Sequence, residues 1–205
     1  MRLLGNGGLA LLLTIVAAWP VTAAAEALGP QELIRDTAEQ VLGEVLRNKD
    51  ELEKDPSGIY DLVQEKVVPH FDFSRMSQAA LGRYWRQASE EQRDRLIREF
   101  QELLVRTYAV ALLNYSGQPI DYLAVRIPED AQDVMIPTRV EAGGPPVPID
   151  YRLYLADNGW KVYDVVIDGV SMVTNYRSTF ATQVRRSGID GLIKQLAERN
   201  QQSRG

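Results

Sequence analysis

His70 is the single imidazole in a chain of 205 residues that has no cysteine. Thiolate zinc sites, iron–sulfur clusters, disulfide frameworks and cysteine nucleophiles are therefore excluded, and a Ser-His-Asp triad would have one base to draw on. A metal site would need carboxylates for nearly all its protein ligands, so no metal and no cofactor is expected. The acid that stands out is Asp164, because Val162, Val165, Val166 and Ile167 around it put apolar groups on both faces of an apparent strand. A buried carboxylate must be paired, and Arg177 or Lys161 is the expected partner. Asp164 then reads as half of a structural ion pair, with a catalytic or ligand-orienting acid as the alternative. An enzyme made from these parts would use His70 or Asp164 as general base and Tyr163 or Tyr176 as acid. Against that, His70 lies between Pro69 and Phe71 and reads most simply as a turn residue.

Other elements must position these groups. The chain is 45% hydrophobic and 25% charged, with a formal net charge of −5, which is the profile of a globular protein. Arg2, a charge-free stretch that is most apolar over residues 9–19, Pro20 and Ala23-Ala24-Ala25 describe a secretory signal peptide over residues 1–25, cleaved after Ala25. Residues 26–205 are expected to form a single domain, exported and, with Arg2 gone, carrying a net charge of −6. No later apolar run is long enough to span a bilayer, and a negative globule is not drawn to nucleic acid or to anionic lipid surfaces.

Leu33, Ile34, Ala38, Val41, Leu42, Val45 and Leu46 recur at helical spacing, and Ile59, Leu62, Val63 and Val67 mark a second, shorter helix stopped by Pro69. Asp72 or Ser74 caps a third that ends at Gly82. Ser89 followed by Gln92 forms a capping box for a long helix carrying Leu96, Phe100, Leu103, Leu104, Tyr108 and Ala111 on one face. Pairs such as Glu91 with Arg95 and Glu102 with Arg106 belong to its solvated face. From residue 120 short β-type runs follow, over 120–127, 134–141, 147–156 and 160–167, with a hairpin signal at Asp157-Asn158-Gly159. Two helices, 172–186 and 189–199, split by Ser187-Gly188, close the chain. The class is α+β: a helical N-terminal half, a twisted antiparallel sheet of four strands or slightly more, and C-terminal helices. These elements offer more apolar faces than one side of such a sheet needs, but counting faces does not separate a packed core from a hollow one.

Three blocks carry a resemblance. They are Val68-Pro69-His70-Phe71-Asp72-Phe73; the run from Leu81-Gly82-Arg83-Tyr84-Trp85-Arg86 through Glu91-Gln92-Arg93 to Thr107-Tyr108; and Trp160-Lys161-Val162-Tyr163-Asp164-Val165 with Asp168-Gly169-Val170-Ser171-Met172 and Asn175-Tyr176-Arg177. In this order they resemble the MlaC family of periplasmic phospholipid-binding components of the Mla lipid-asymmetry pathway, also called toluene-tolerance auxiliary proteins. The resemblance implies a deep apolar pocket for phospholipid acyl chains and no catalysed reaction. It further implies a soluble, periplasmic shuttle between an outer-membrane lipoprotein–porin complex and an inner-membrane ABC transporter with an MCE-type component, and a shuttle has reason to be a monomer.

Under that reading the pocket wall is expected from Leu104, Tyr108, Val125, Tyr151, Leu153, Trp160, Val162, Val165, Met172 and Tyr176, each of which would otherwise be packed core. Arg83, Arg86 and Arg177 are the candidates to meet a lipid head group or the acidic surface of a partner. Two other readings stay open on the residues alone: the small enzyme above, and a periplasmic adaptor or chaperone with a solid core and an exposed apolar face.

Overall fold

The computed structural model describes residues 28–141 and 143–202, so the signal peptide expected at 1–25 lies outside the described residues. Helix α1 (Pro30–Arg47) starts on a proline, whose missing N–H costs nothing there, and the Glu32 carboxylate accepts from the Gly29 N–H at 3.2 Å. Its buried residues Leu33, Ile34, Val41 and Val45 share one face. Short helices α2 (Lys49–Lys54) and α3 (Ser57–Lys66) follow, then a 3₁₀ turn at Val68–His70. Of the two candidate caps for α4 (Phe73–Leu81), Asp72 is the one used: its Oδ1 accepts from the Arg75 N–H at 2.8 Å. Helix α4 stops at Gly82, whose φ of 60° is strained for any side chain.

The capping box forms as the spacing predicts. Ser89 Oγ accepts from the Gln92 N–H at 3.1 Å, Gln92 Oε1 accepts from the Ser89 N–H at 3.0 Å, and α5 runs over Glu90–Leu113. Of the pairs expected on the solvated face, Glu102 with Arg106 forms but is largely buried, with Arg106 over the Tyr60 ring at 4.8 Å, whereas Arg95 turns to Asp190 on another helix at 3.8 Å. The last helix, α6 (Met172–Gln202), is bent at Gly188, where φ is 73° and ψ 179°, which is the break expected between two C-terminal helices.

The sheet is an antiparallel meander in chain order: β1 (Ile120–Tyr122), β2 (Asp133–Val140), β3 (Val147–Ala156), β4 (Gly159–Ile167) and β5 (Val170–Ser171). Four of these were expected. The fifth is a two-residue strand after a tight turn in which Asp168 (φ 49°) and Gly169 (φ 76°) both take left-handed backbone, the geometry that Asp-Gly favours. In the Asp157-Asn158-Gly159 hairpin the positive φ, 105°, falls on Gly159 alone. The first strand is shorter than the expected 120–127, and beyond it one ladder-like bond continues from Leu123 N–H to Pro137 O at 3.1 Å.

Apolar residues on both faces of β4 suit a strand at the sheet's centre. Strand β4 is instead next to last in the order, and its outer edge is covered at one end by β5 and at the other by a bridge from Phe71 to Val162, with Asp72 N–H donating to Val162 O at 2.8 Å. Its register contains a bulge. Val162 pairs with Leu153 and Asp164 with Arg152, leaving Tyr163 as the extra residue. Simple alternation would put Val162 and Val165 on opposite faces. The bulge re-phases the strand so that both face inwards with Tyr151, Leu153 and Ile149, while Asp164 and Val166 face the other way.

Helix α5 packs on α3, α4 and α6. The core separates into three clusters: one joining α4, α5 and α6 around Phe100, Phe180, Leu192 and Ile193; one on the inner sheet face with Leu33 and Ile34 of α1; and one joining α1, α2, α3 and α5 around Val45, Ile59 and Val105.

Candidate functional site

Where the three clusters meet, the interior is empty. A cavity of about 530 Å³ takes its wall from Phe73, Met76 and Leu104 of the first cluster, Leu33, Ile34, Val162 and Val165 of the second, and Val63, Val105 and Ala109 of the third. It separates the C-terminal half of α5 from the inner face of the sheet. The wall is overwhelmingly apolar, and none of the described residues that line it is a lysine or an arginine. Polar groups gather where α5 ends and β1 and β2 meet, at Asn114, Tyr115, Gln118 and Glu141. Two of these satisfy local bonds: Tyr115 Oη donates to Gln118 O at 3.1 Å, and Gln118 Oε1 accepts from the Ser116 N–H at 2.8 Å. Asn114 and Glu141 are exposed and form the rim.

Six of the ten expected wall residues line this cavity: Leu104, Tyr108, Tyr151, Val162, Val165 and Met172. The other four lie elsewhere. Leu153 is fully buried in the sheet cluster, and Trp160 packs against that cluster at the hairpin end, beyond the empty volume. Val125 belongs to the same cluster from the connection after β1. Tyr176 sits edge-on to Phe100 at 4.9 Å and against Phe180 at 5.7 Å, in the solid cluster of α4, α5 and α6. Sequence reasoning missed the contribution of α1 and of the 3₁₀ turn, through Leu33, Ile34, Thr37, Val41, Val68 and His70. The apolar stripe of α1 was visible, but nothing local says that it faces a void.

Arg83, Arg86 and Arg177 are exposed and do not line the cavity. Arg83 donates to Tyr84 Oη at 3.0 Å, and Arg177 Nε donates to Ala79 O at 2.8 Å. Arg177 is thus not the partner of Asp164, and neither is Lys161, whose Nζ donates to Pro69 O at 2.7 Å. The cross-strand register places Arg152 opposite Asp164 instead, with Nη1 at 3.6 Å. Asp164 also accepts from Ser171 Oγ at 2.7 Å and from the Val173 N–H at 3.1 Å, so it holds the start of α6.

The titratable groups are not arranged as an acid–base pair. His70 is half-buried on the cavity wall, and burial first, then the charge of Lys161, lowers its pKa from the ordinary 6.5. Asp164 is occupied as just described. Tyr163 Oη donates to Asp133 Oδ1 at 2.9 Å on the outer face, where Arg75 lies over the rings of Tyr154 and Tyr163. Among the described residues no group of three or more His, Asp or Glu is placed to hold a metal ion. No described helix is long and apolar enough to cross a membrane.

The antiparallel meander and the long helix α5 thus bound an apolar chamber. A family model described as MlaC protein matches residues 35–198. The chain belongs to the MlaC family. A solved structure of a phospholipid-binding protein from Ralstonia solanacearum, in complex with a phospholipid, is 36% identical to this MlaC-family chain, with a TM-score of 0.80 over 87% of this chain and 100% of that one. Two curated relatives are each 28% identical. The "Intermembrane phospholipid transport system binding protein MlaC" of Haemophilus influenzae matches over 92% of this chain and 90% of its own length. The "Toluene tolerance protein ttg2D" of Pseudomonas putida matches over 93% and 91%. The family match thus runs from within α1 to within α6, across most of the residues that line the cavity.

Proposed function

We propose that this protein is a phospholipid carrier that holds acyl chains in the cavity between α5 and the sheet. The observation that carries the reading is an apolar chamber of about 530 Å³, in a fold that it shares with a protein solved in complex with a phospholipid. Burying a methylene is worth about 0.8 kcal/mol, so two chains of roughly 16 carbons represent on the order of 25 kcal/mol that water would oppose. A bilayer supplies nearly the same burial. A carrier therefore needs a dry wall of matching apolarity and gains little net energy on loading, which suits exchange between membranes. The volume falls within the range of about 300 to 1,000 Å³ usual for ligand sites.

The family supports the rest of the reading: residues 1–25 as a cleaved signal, residues 26–205 as one periplasmic lipid-binding domain, and exchange with an outer-membrane lipoprotein–porin complex and an inner-membrane MCE-type ABC transporter. The head group rests at the rim by Asn114 and Glu141. Arg83, Arg86 and Arg177, exposed and away from the cavity, are better suited to an acidic partner surface than to the phosphate. No step of this function requires a reacting side chain. Organic extraction of the purified protein, followed by mass spectrometry, is expected to recover phospholipid in roughly stoichiometric amount. Trace lipid, with no uptake from vesicles, would overturn the proposal.

A further inference from the structure

Tyr151 presents an unusual group to the cavity. It stands on the inner face of β3, between Ile136 of β2 and Val165 of β4, and lines the empty volume among aliphatic side chains. Its hydroxyl makes no hydrogen bond to another described residue, yet it is not one of the fully buried unpaired atoms, Ser77 Oγ and Asn200 Oδ1, because Tyr151 is only partly buried and opens onto the cavity. Burial, and then the neighbouring Tyr122, push its pKa up to about 12, so the phenol stays protonated and is a donor throughout the physiological range. Water can pair with this hydroxyl while the cavity is wet, but an acyl chain that displaces the water leaves it unpaired at a cost in free energy unless the ligand supplies an acceptor. A lone donor on an apolar wall therefore calls for an acceptor that arrives with the ligand.

The surroundings say which part of a ligand that is. Tyr122 carries Arg35 over its ring at 5.1 Å and lies beside the charged groups of α1, so it marks the watered side of Tyr151. Val165 of β4 and Val162 beyond it mark the dry side. In a diacyl phospholipid the groups that lie between a hydrated head and apolar chains are the ester carbonyls, strong acceptors without charge. Resting on the carrier reading above, we infer that the Tyr151 hydroxyl donates a hydrogen bond to an acyl ester carbonyl of the bound lipid and makes this cavity selective for ester-linked over ether-linked chains.

The test is competitive loading of the full-length purified protein. Vesicles would hold equal amounts of dioleoyl phosphatidylcholine and its diether analogue, which has the same head group and chain length but no ester carbonyl. Lipid would then be extracted from the protein and quantified. The ester lipid is expected to be enriched about three- to ten-fold, the range that one net hydrogen bond supports. Tyr151→Phe is expected to bring that ratio close to one while total lipid per protein stays near the wild-type level. The lipid-free variant should melt no lower than wild type, since it loses no hydrogen bond to another described residue. Tyr122→Phe, outside the cavity wall, should leave the enrichment unchanged. Uptake of both lipids without discrimination by the wild type, or enrichment that persists in Tyr151→Phe, would overturn this inference alone. Uptake of neither lipid would overturn the carrier reading and this inference with it.

Discussion

Helix α5 passes through two interiors of opposite character. Its N-terminal half sends Leu96 and Phe100 into a solid wedge against α4 and α6, where Phe100 is fully buried and meets Tyr176 and Phe180 edge-on. Its C-terminal half sends Leu104, Tyr108 and Leu112 towards an empty chamber, and Tyr108 keeps 37% of its surface exposed. The apolar spacing along the helix is the same in both halves. What differs is the neighbour: α6 closes on the first half, whereas the sheet, held off by α1 and the 3₁₀ turn, does not reach the second. A single amphipathic helix can thus anchor a fold at one end and wall a ligand chamber at the other.

The largest expected effect that would sharpen this contrast is in the solid half. Phe100→Ala should cost about 3–5 kcal/mol, because tight neighbours cannot collapse into the space. At about 2–4 °C per kcal/mol, that lowers the melting temperature by roughly 6–20 °C in a chain of this size. Leu104→Ala, with empty space already on one flank, should cost about half as much in lipid-free protein. Equal losses in the two variants would mean that the chamber is packed in solution.

Next in size is removal of the ligand. Lipid bound at a hundred times its dissociation constant adds about 2.7 kcal/mol of stability. Delipidated protein should therefore melt lower, with amide exchange accelerated in the C-terminal half of α5 and in β4 but unchanged around Phe100 and Leu192. Uniform acceleration would erase the distinction between the regions. Smaller still in stability, though large in function, is filling the void. Val165→Trp should cost under about 1 kcal/mol and remove most co-purifying lipid, while Leu192→Trp, forced into the solid wedge, should cost about 1–3 kcal/mol or more and spare lipid content in whatever folds.

The smallest effect concerns protons. His70 has a depressed pKa in the folded chain, so the unfolded chain binds a proton first as pH falls below 6.5. Stability from this group is complete above pH 6.5 and is lost as pH falls through the lowered folded value. His70→Gln should flatten that part of a melting-temperature profile between pH 7 and 5.5. An unchanged profile would show that His70 is not buried against the chamber in solution.

Much of the architecture was legible because its signals are local. The Ser89–Gln92 box, the Asp72 cap, the stops at Gly82 and Gly188 and the Asp157-Asn158-Gly159 hairpin each depend on a few adjacent residues and their backbone preferences. Asp168-Gly169 held the signal for β5 in the same way, but a two-residue strand is too short to show a period. The partner of Asp164 was not legible. Arg152 is twelve residues away on a neighbouring strand, and its placement depends on a bulge at Tyr163 that alternation alone does not encode. That bulge also decides that Val162 and Val165 share the cavity face.

By itself, then, the sequence determined the helices and most strands, their caps and turns, the absence of thiol and most imidazole chemistry, and the resemblance to a lipid-binding family. Tertiary structure alone decided that Leu104 and Val165 border a void while Leu153 and Tyr176 are packed, that Asp164 serves α6, and that the hydroxyl of Tyr151 opens onto the cavity. The reason is physical. Apolar burial is non-directional, so the same side chain satisfies the same pattern against a neighbour or against a ligand, and only the spacing between elements distinguishes the two.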